Sequence, residues 1–134
     1  EVEMNESKTV TLTLIDIEAP IADAGPDQTV SEDTIVYLDG SGSTDNAGIA
    51  NYTWSFYDGG SLFRYGVNVS YIFAQPGNYA ITLNVSDAAG NWDTDTCIIY
   101  VNDVTAPIAD AGPDQSVDED VVAYFNGSGS TDNV

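Results

Sequence analysis

The stretch Asn51-Tyr-Thr-Trp-Ser-Phe-Tyr-Asp-Gly-Gly60 decides the fold. Tyr52, Trp54 and Phe56 alternate with Asn51, Thr53 and Ser55. That period of two gives a strand with one aromatic face and one polar face. Asp58-Gly59-Gly60 then predicts a tight turn, because glycine reaches the positive φ of hairpin loops without steric cost. Indole buries more apolar area than any other side chain, so Trp54 is expected at the centre of a core.

Outward from this strand the same alternation recurs. Thr34–Asp39 reads as a strand with Val36 and Leu38 inward, and Asn68–Ala74 as one with Val69, Tyr71 and Phe73 on a common face. Asn78–Ser86 shows the pattern most cleanly, with Tyr79, Ile81, Leu83 and Val85 inward, and Asp95–Asn102 closes the domain. Ile21–Val30, broken by Gly25-Pro26, reads as an irregular edge segment. Residues 8–17 read as a further strand, with Val10, Leu12 and Leu14 on one face. No stretch has helical periodicity, and six or seven short strands joined by turns predict an all-β sandwich.

The chain also repeats itself. Residues 21–47 recur as 108–134 at an offset of 87, with 19 of 27 positions identical, and Thr9–Ile15 map onto Thr96–Asn102. The expected organisation is therefore the last strand of one repeat plus a joint (1–20), a complete repeat (21–107) and the first strands of the next (108–134). A period this long means tandem domains, not a solenoid of short units. Glu18-Ala-Pro20 reads as a joint stiffened by proline.

The composition narrows the functional classes. There are 22 Asp and Glu against Lys8 and Arg64, and no His, for a net charge of −20. This argues against nucleic acid and anionic membranes as partners, which call for basic patches, and it suits divalent cations or a salty milieu. No apolar run approaches the roughly 20 residues that span a bilayer. Glu1 is not an initiating residue, so the sequence reads as mature or cut from something longer. With no His and a single cysteine, Cys97, neither a Ser–His nor a Cys–His nucleophile pair is available. Asp93 and Asp95 are carboxylates of glycosidase type, but they read as solvated turn residues, and the expectation is no catalysis. Cys97 reads as a small buried apolar residue.

Asn-x-Ser/Thr acceptor motifs for N-linked glycans occur at Asn5, Asn51, Asn68, Asn84 and Asn126, half of the ten asparagines. Strand parity sets Asn51 opposite the Trp54 face, Asn84 opposite Leu83, Asn68 opposite Val69, and Asn126 next to an inward Phe125. All four are thus expected to point outward, where a glycan can be attached.

The order Leu38-Asp-Gly-Ser-Gly-Ser-Thr-Asp45, Tyr52-Thr-Trp-Ser-Phe-Tyr-Asp-Gly59, Gln75-Pro-Gly-Asn-Tyr79 and Leu83-Asn-Val-Ser-Asp87 resembles the polycystic-kidney-disease (PKD) repeat. The hallmark of that family is a Trp-Asp-Phe-Gly-Asp-Gly strand and turn. Trp54, Phe56, Asp58 and Gly59 keep it, and Ser55 and Tyr57 depart from it. The resemblance implies an immunoglobulin-like antiparallel β-sandwich. It also implies an extracellular module of stalks, surface layers, adhesins or spacers in secreted hydrolases. Some members bind calcium through an Asp-x-Asp-Gly loop and the Asp that follows a long strand. Here Asp45, Asn46 and Asp87 hold the corresponding places, and Ala47 stands where the second Asp would be. Asp23 and Asp27 are further oxygen donors near the joint.

Two functional readings follow. One is structural: beads joined to neighbouring copies of themselves in a filament, stalk or cell-surface layer. The array would be covalent within a longer chain, or built by donating strand 8–17 into a neighbouring subunit. The other is a spacer or carbohydrate-binding module of a secreted hydrolase, with Tyr57, Tyr65, Tyr71 and Tyr100 as a polysaccharide-binding strip.

Overall fold

In a computed structural model, which describes residues 8–134, seven strands form two sheets and no helix occurs among the described residues. The strands are β1 (Gln28–Ser31), β2 (Ile35–Asp39), β3 (Ile49–Tyr57), β4 (Ser61–Tyr65), β5 (Asn68–Ile72), β6 (Gly77–Asp87) and β7 (Trp92–Asn102). One sheet has the order β1-β7-β6-β3-β4, and the other is the pair β2-β5. The pairings are antiparallel except at the edge, where β1 runs parallel to β7. A parallel pair needs a long crossover, and here nearly the whole domain lies between the two strands.

The core sits where the period-two pattern puts it. Trp54, Ile81, Leu83, Val85 and Ile99 are fully buried on the inner face of the large sheet, and Val36 and Leu38 meet them from β2. Trp54 also satisfies its one polar atom, donating Nε1–H to the Gly66 carbonyl at 3.0 Å. Phe56, Tyr71, Phe73 and Tyr79 extend the core as an aromatic chain with centroid spacings of 4.8, 4.8 and 4.1 Å along it. Cys97 is buried in the same core, beside Ile81 on β6, and its burial pushes the thiol pKa up, as suits a packing residue.

The Asp58-Gly59-Gly60 turn forms, with Gly59 at φ +66°, and returns the chain into β4, a strand absent from the sequence reading. The segment before β1 is held by carboxylates of β7. Ala22 N–H donates to Asp93 Oδ2 (2.9 Å) and Ala24 N–H to Asp95 Oδ2 (2.8 Å), while Asp27 Oδ1 accepts from Ile98 N–H (2.8 Å). Asp93 and Asp95 are therefore strand residues that satisfy part-buried amides, not solvated turn residues.

Two terminal expectations change. Residues 8–17 make no strand, and Val10, Leu12 and Leu14 are more than four-fifths exposed. Their counterparts in β7 lie between β6 and β1, and no such ladder partners flank 8–17 among the described residues. Phe125 is likewise exposed, because residues 108–134 carry counterparts of β1 and β2 but none of the strands that cover Leu38.

Candidate cation site at the joint

Three loops meet at one end of the bead. The β6–β7 turn is organised by Asp87, whose Oδ1 accepts from Gly90 N–H (2.7 Å) and Asn91 N–H (2.9 Å). Its Oδ2 accepts from Asn91 Nδ2 at 2.7 Å. The Asn91 side chain, and then the turn amides, hold the Asp87 carboxyl below the usual carboxylate range although the residue is buried. The Gly40–Gly48 loop contributes Asp45, which caps its own turn by accepting from Ala47 N–H at 3.0 Å. The third loop is the joint itself. Asp16 accepts from Glu18 N–H (3.1 Å) and Asn46 Nδ2 (3.4 Å), and its carbonyl accepts from Asn91 Nδ2 (3.2 Å).

These contacts bring the carboxylates of Asp16, Asp45 and Asp87 together, with one oxygen of each inside a span of 4.8 Å. Asp16 Oδ2 and Asp45 Oδ1 are buried there without a hydrogen-bond donor. The two basic residues of the chain are Lys8 and Arg64, and Arg64 lies over the Tyr71 ring on another part of the bead. Like charges converging around buried, unpartnered oxygens are costly unless something positive sits between them. An all-oxygen donor set of this kind suits a hard divalent cation.

Of the residues singled out in the sequence, Asp45 and Asp87 meet, while Asn46 turns its amide nitrogen toward Asp16 and so positions that carboxylate. Asp23 and Asp27 lie outside the cluster, bonded to Gly25 and Ile98. Asp16 and Asn91 were missed. The signal for Asp16 was available: the joint reads Asp-x-x-Ala-Pro at both 16–20 and 103–107.

The described asparagines of the Asn-x-Ser/Thr motifs are at least partly exposed. Asn51, Asn68 and Asn126 are exposed and Asn84 is half-buried, and Asn5 lies outside the described residues. Asn51 and Asn84 share the outer face of the large sheet, opposite Ser86 and Thr53 respectively. The tyrosines are dispersed: Tyr57 and Tyr65 lie at the β3–β4 edge, Tyr100 is on β7, and Tyr71 is half-buried with its hydroxyl on Asp58 (2.9 Å).

Comparisons with known proteins converge on one family. The PKD domain family model matches residues 17–101. A mouse dyslexia-associated KIAA0319-like protein is 35% identical over 123 residues, which is 84% of this chain and 12% of that protein. The human dyslexia-associated protein KIAA0319 is 32% identical with the same coverage. The chain thus spans about an eighth of the length of these relatives. A solved structure described as a carbohydrate-binding module of the β-sandwich superfamily aligns with a TM-score of 0.58 at 28% identity. The alignment covers 72% of this chain and 39% of that one. The solution structure of a PKD domain from the KIAA 1837 protein aligns with a TM-score of 0.53 at 24% identity, over 75% and 98%.

Proposed function

The chain belongs to the PKD domain family, and from that premise we propose that it is an extracellular structural module, one bead of a tandem array in a filament, stalk or surface layer. The observation that carries this reading is the second copy. Residues 108–134 repeat most of the local hydrogen bonds of 21–47. Asp110 N–H reaches Ser130 Oγ (2.9 Å) as Asp23 N–H reaches Ser43 Oγ (2.9 Å). Gln115 Nε2 reaches the Tyr124 carbonyl (2.6 Å) as Gln28 Nε2 reaches that of Tyr37 (2.9 Å). Closely similar units joined through the same Asp-x-x-Ala-Pro linker are what an array requires.

In this reading Asp16, Asp45 and Asp87 hold a calcium ion that fastens the joint onto the bead, and glycans at the outward asparagines shield the sheet faces. Neighbouring copies are the partners. Electron microscopy of the native assembly tests it. Like beads in line, with extra density at Asn51, Asn68 and Asn84, are expected. Single beads tethered to a catalytic domain would refute it.

The carbohydrate-binding reading is favoured by one observation, the β-sandwich neighbour described as a carbohydrate-binding module. It predicts retention on insoluble polysaccharide that Tyr65→Ala abolishes. A glycan on Asn51 or Asn84 would occupy the same sheet face and compete with it.

A further inference from the structure

A second joint lies at the other end of the bead, and it is organised by a carboxylate that no motif explains. Glu32 follows β1 and is 4% exposed in a chain whose acids are otherwise mostly at the surface. Its Oε1 accepts from Val104 N–H (3.1 Å), Thr105 N–H (2.9 Å) and the Thr105 hydroxyl, all in the outgoing linker. Its Oε2 accepts from Asn133 Nδ2 at 2.6 Å, across 101 residues of chain. One buried side chain thus grips both the linker and the Ser-Thr-Asp-Asn loop of the following repeat. Ionised oxygens that accept several donors make the strongest of ordinary hydrogen bonds and fix direction as well as distance.

The offset of 87 carries Asn133 onto Asn46, in the same Ser-Thr-Asp-Asn loop. Asn46 lies at the incoming joint, where it faces Asp16 (3.4 Å). We infer that Glu32 is a latch that fixes the bead to the one that follows, and that the loop asparagine Asn133 is its socket. The partner surface is the next copy of the repeat in the same chain. The latch sets a single angle between successive beads, which distinguishes a rod from a flexible string. It does not depend on a cation at Asp16, Asp45 and Asp87, so either can fail without the other.

Residual dipolar couplings on the full chain in weakly aligning medium, with calcium chelated, test it. In the unaltered chain the amides of Ile108, Asp110 and Thr131 should fit the same alignment tensor as β6 and β7. Asn133→Ala removes only the contact between repeats and should shrink those three couplings at least twofold while leaving the bead unchanged. Glu32→Gln should do the same and also speed exchange of the Val104 and Thr105 amides about tenfold. Couplings in 108–134 that are already averaged in the unaltered chain, or that stay unchanged in Asn133→Ala, would overturn the latch.

Discussion

At the scale of single residues, Trp54 carries the bead. Complete burial of an indole removes on the order of 200 Å² from water, about 5 kcal/mol at the usual area coefficient. Trp54→Ala should therefore cost about 3–5 kcal/mol in urea unfolding, a large fraction of a domain's stability. Gly40 is the complementary case. A Cβ there would meet Leu83 Cδ2 at 3.1 Å, Trp54 Cζ2 at 3.2 Å and the Val67 carbonyl at 3.2 Å. Gly40→Ala should destabilise by about 1–3 kcal/mol through overpacking against the indole. Equal stability of that variant and the parent would show that the ring does not pack as described. Trp54 was legible in the sequence because its neighbours alternate. The role of Gly40 was not, because a glycine in a Ser-Gly loop looks like any turn residue until the core approaches it.

At the scale of elements, the strands with an apolar face turned to the core were readable, and the edge strand β4 was not. β2, β3, β5 and β6 fall within a residue or two of their expected bounds, and β7 ends where expected but begins three residues earlier. β4 was missed because its five residues lie at a sheet edge, and Phe63 and Tyr65 are exposed there instead of alternating into the core. Residues 8–17 failed in the opposite way: the pattern is that of a strand, but a ladder needs a partner, and periodicity says nothing about who supplies it. The cation cluster was half legible. Asp45 and Asp87 sat in recognisable turns, whereas Asp16 joins them only through folding of the linker onto the bead. The linker beyond β7 yields a pH prediction. The Thr105 hydroxyl first, and then the Val104 and Thr105 amides, hold the Glu32 carboxyl below its ordinary value near 4.5. A lowered pKa means the grip is complete above that value and is lost as pH falls through the lower, folded one. The amide proton shift of Val104, which donates to Glu32 alone, should thus titrate with a midpoint below 4.5. A midpoint above that value, or none, would remove Glu32 from its role.

At the scale of the whole molecule, the net charge of −20 opposes compaction. Raising sodium chloride from 10 to 150 mM shortens the screening length from roughly 30 to 8 Å, and the melting temperature should rise by several degrees. A melting curve insensitive to salt would mean that the carboxylates are already neutralised. Screening by monovalent salt acts on every surface acid, whereas a bound divalent ion acts at one place, and that difference separates the two effects. Calorimetric titration of the full chain with calcium at 150 mM sodium chloride, alongside Asp16→Asn, is the most direct test that linker and bead share a cation. The account predicts one site with a Kd of about 10⁻⁴–10⁻³ M, as in extracellular modules, worth about 1–3 kcal/mol of stability at 10 mM calcium and lost in Asp16→Asn. No binding heat with an unchanged melting temperature, or the same gain in Asp16→Asn, would contradict it.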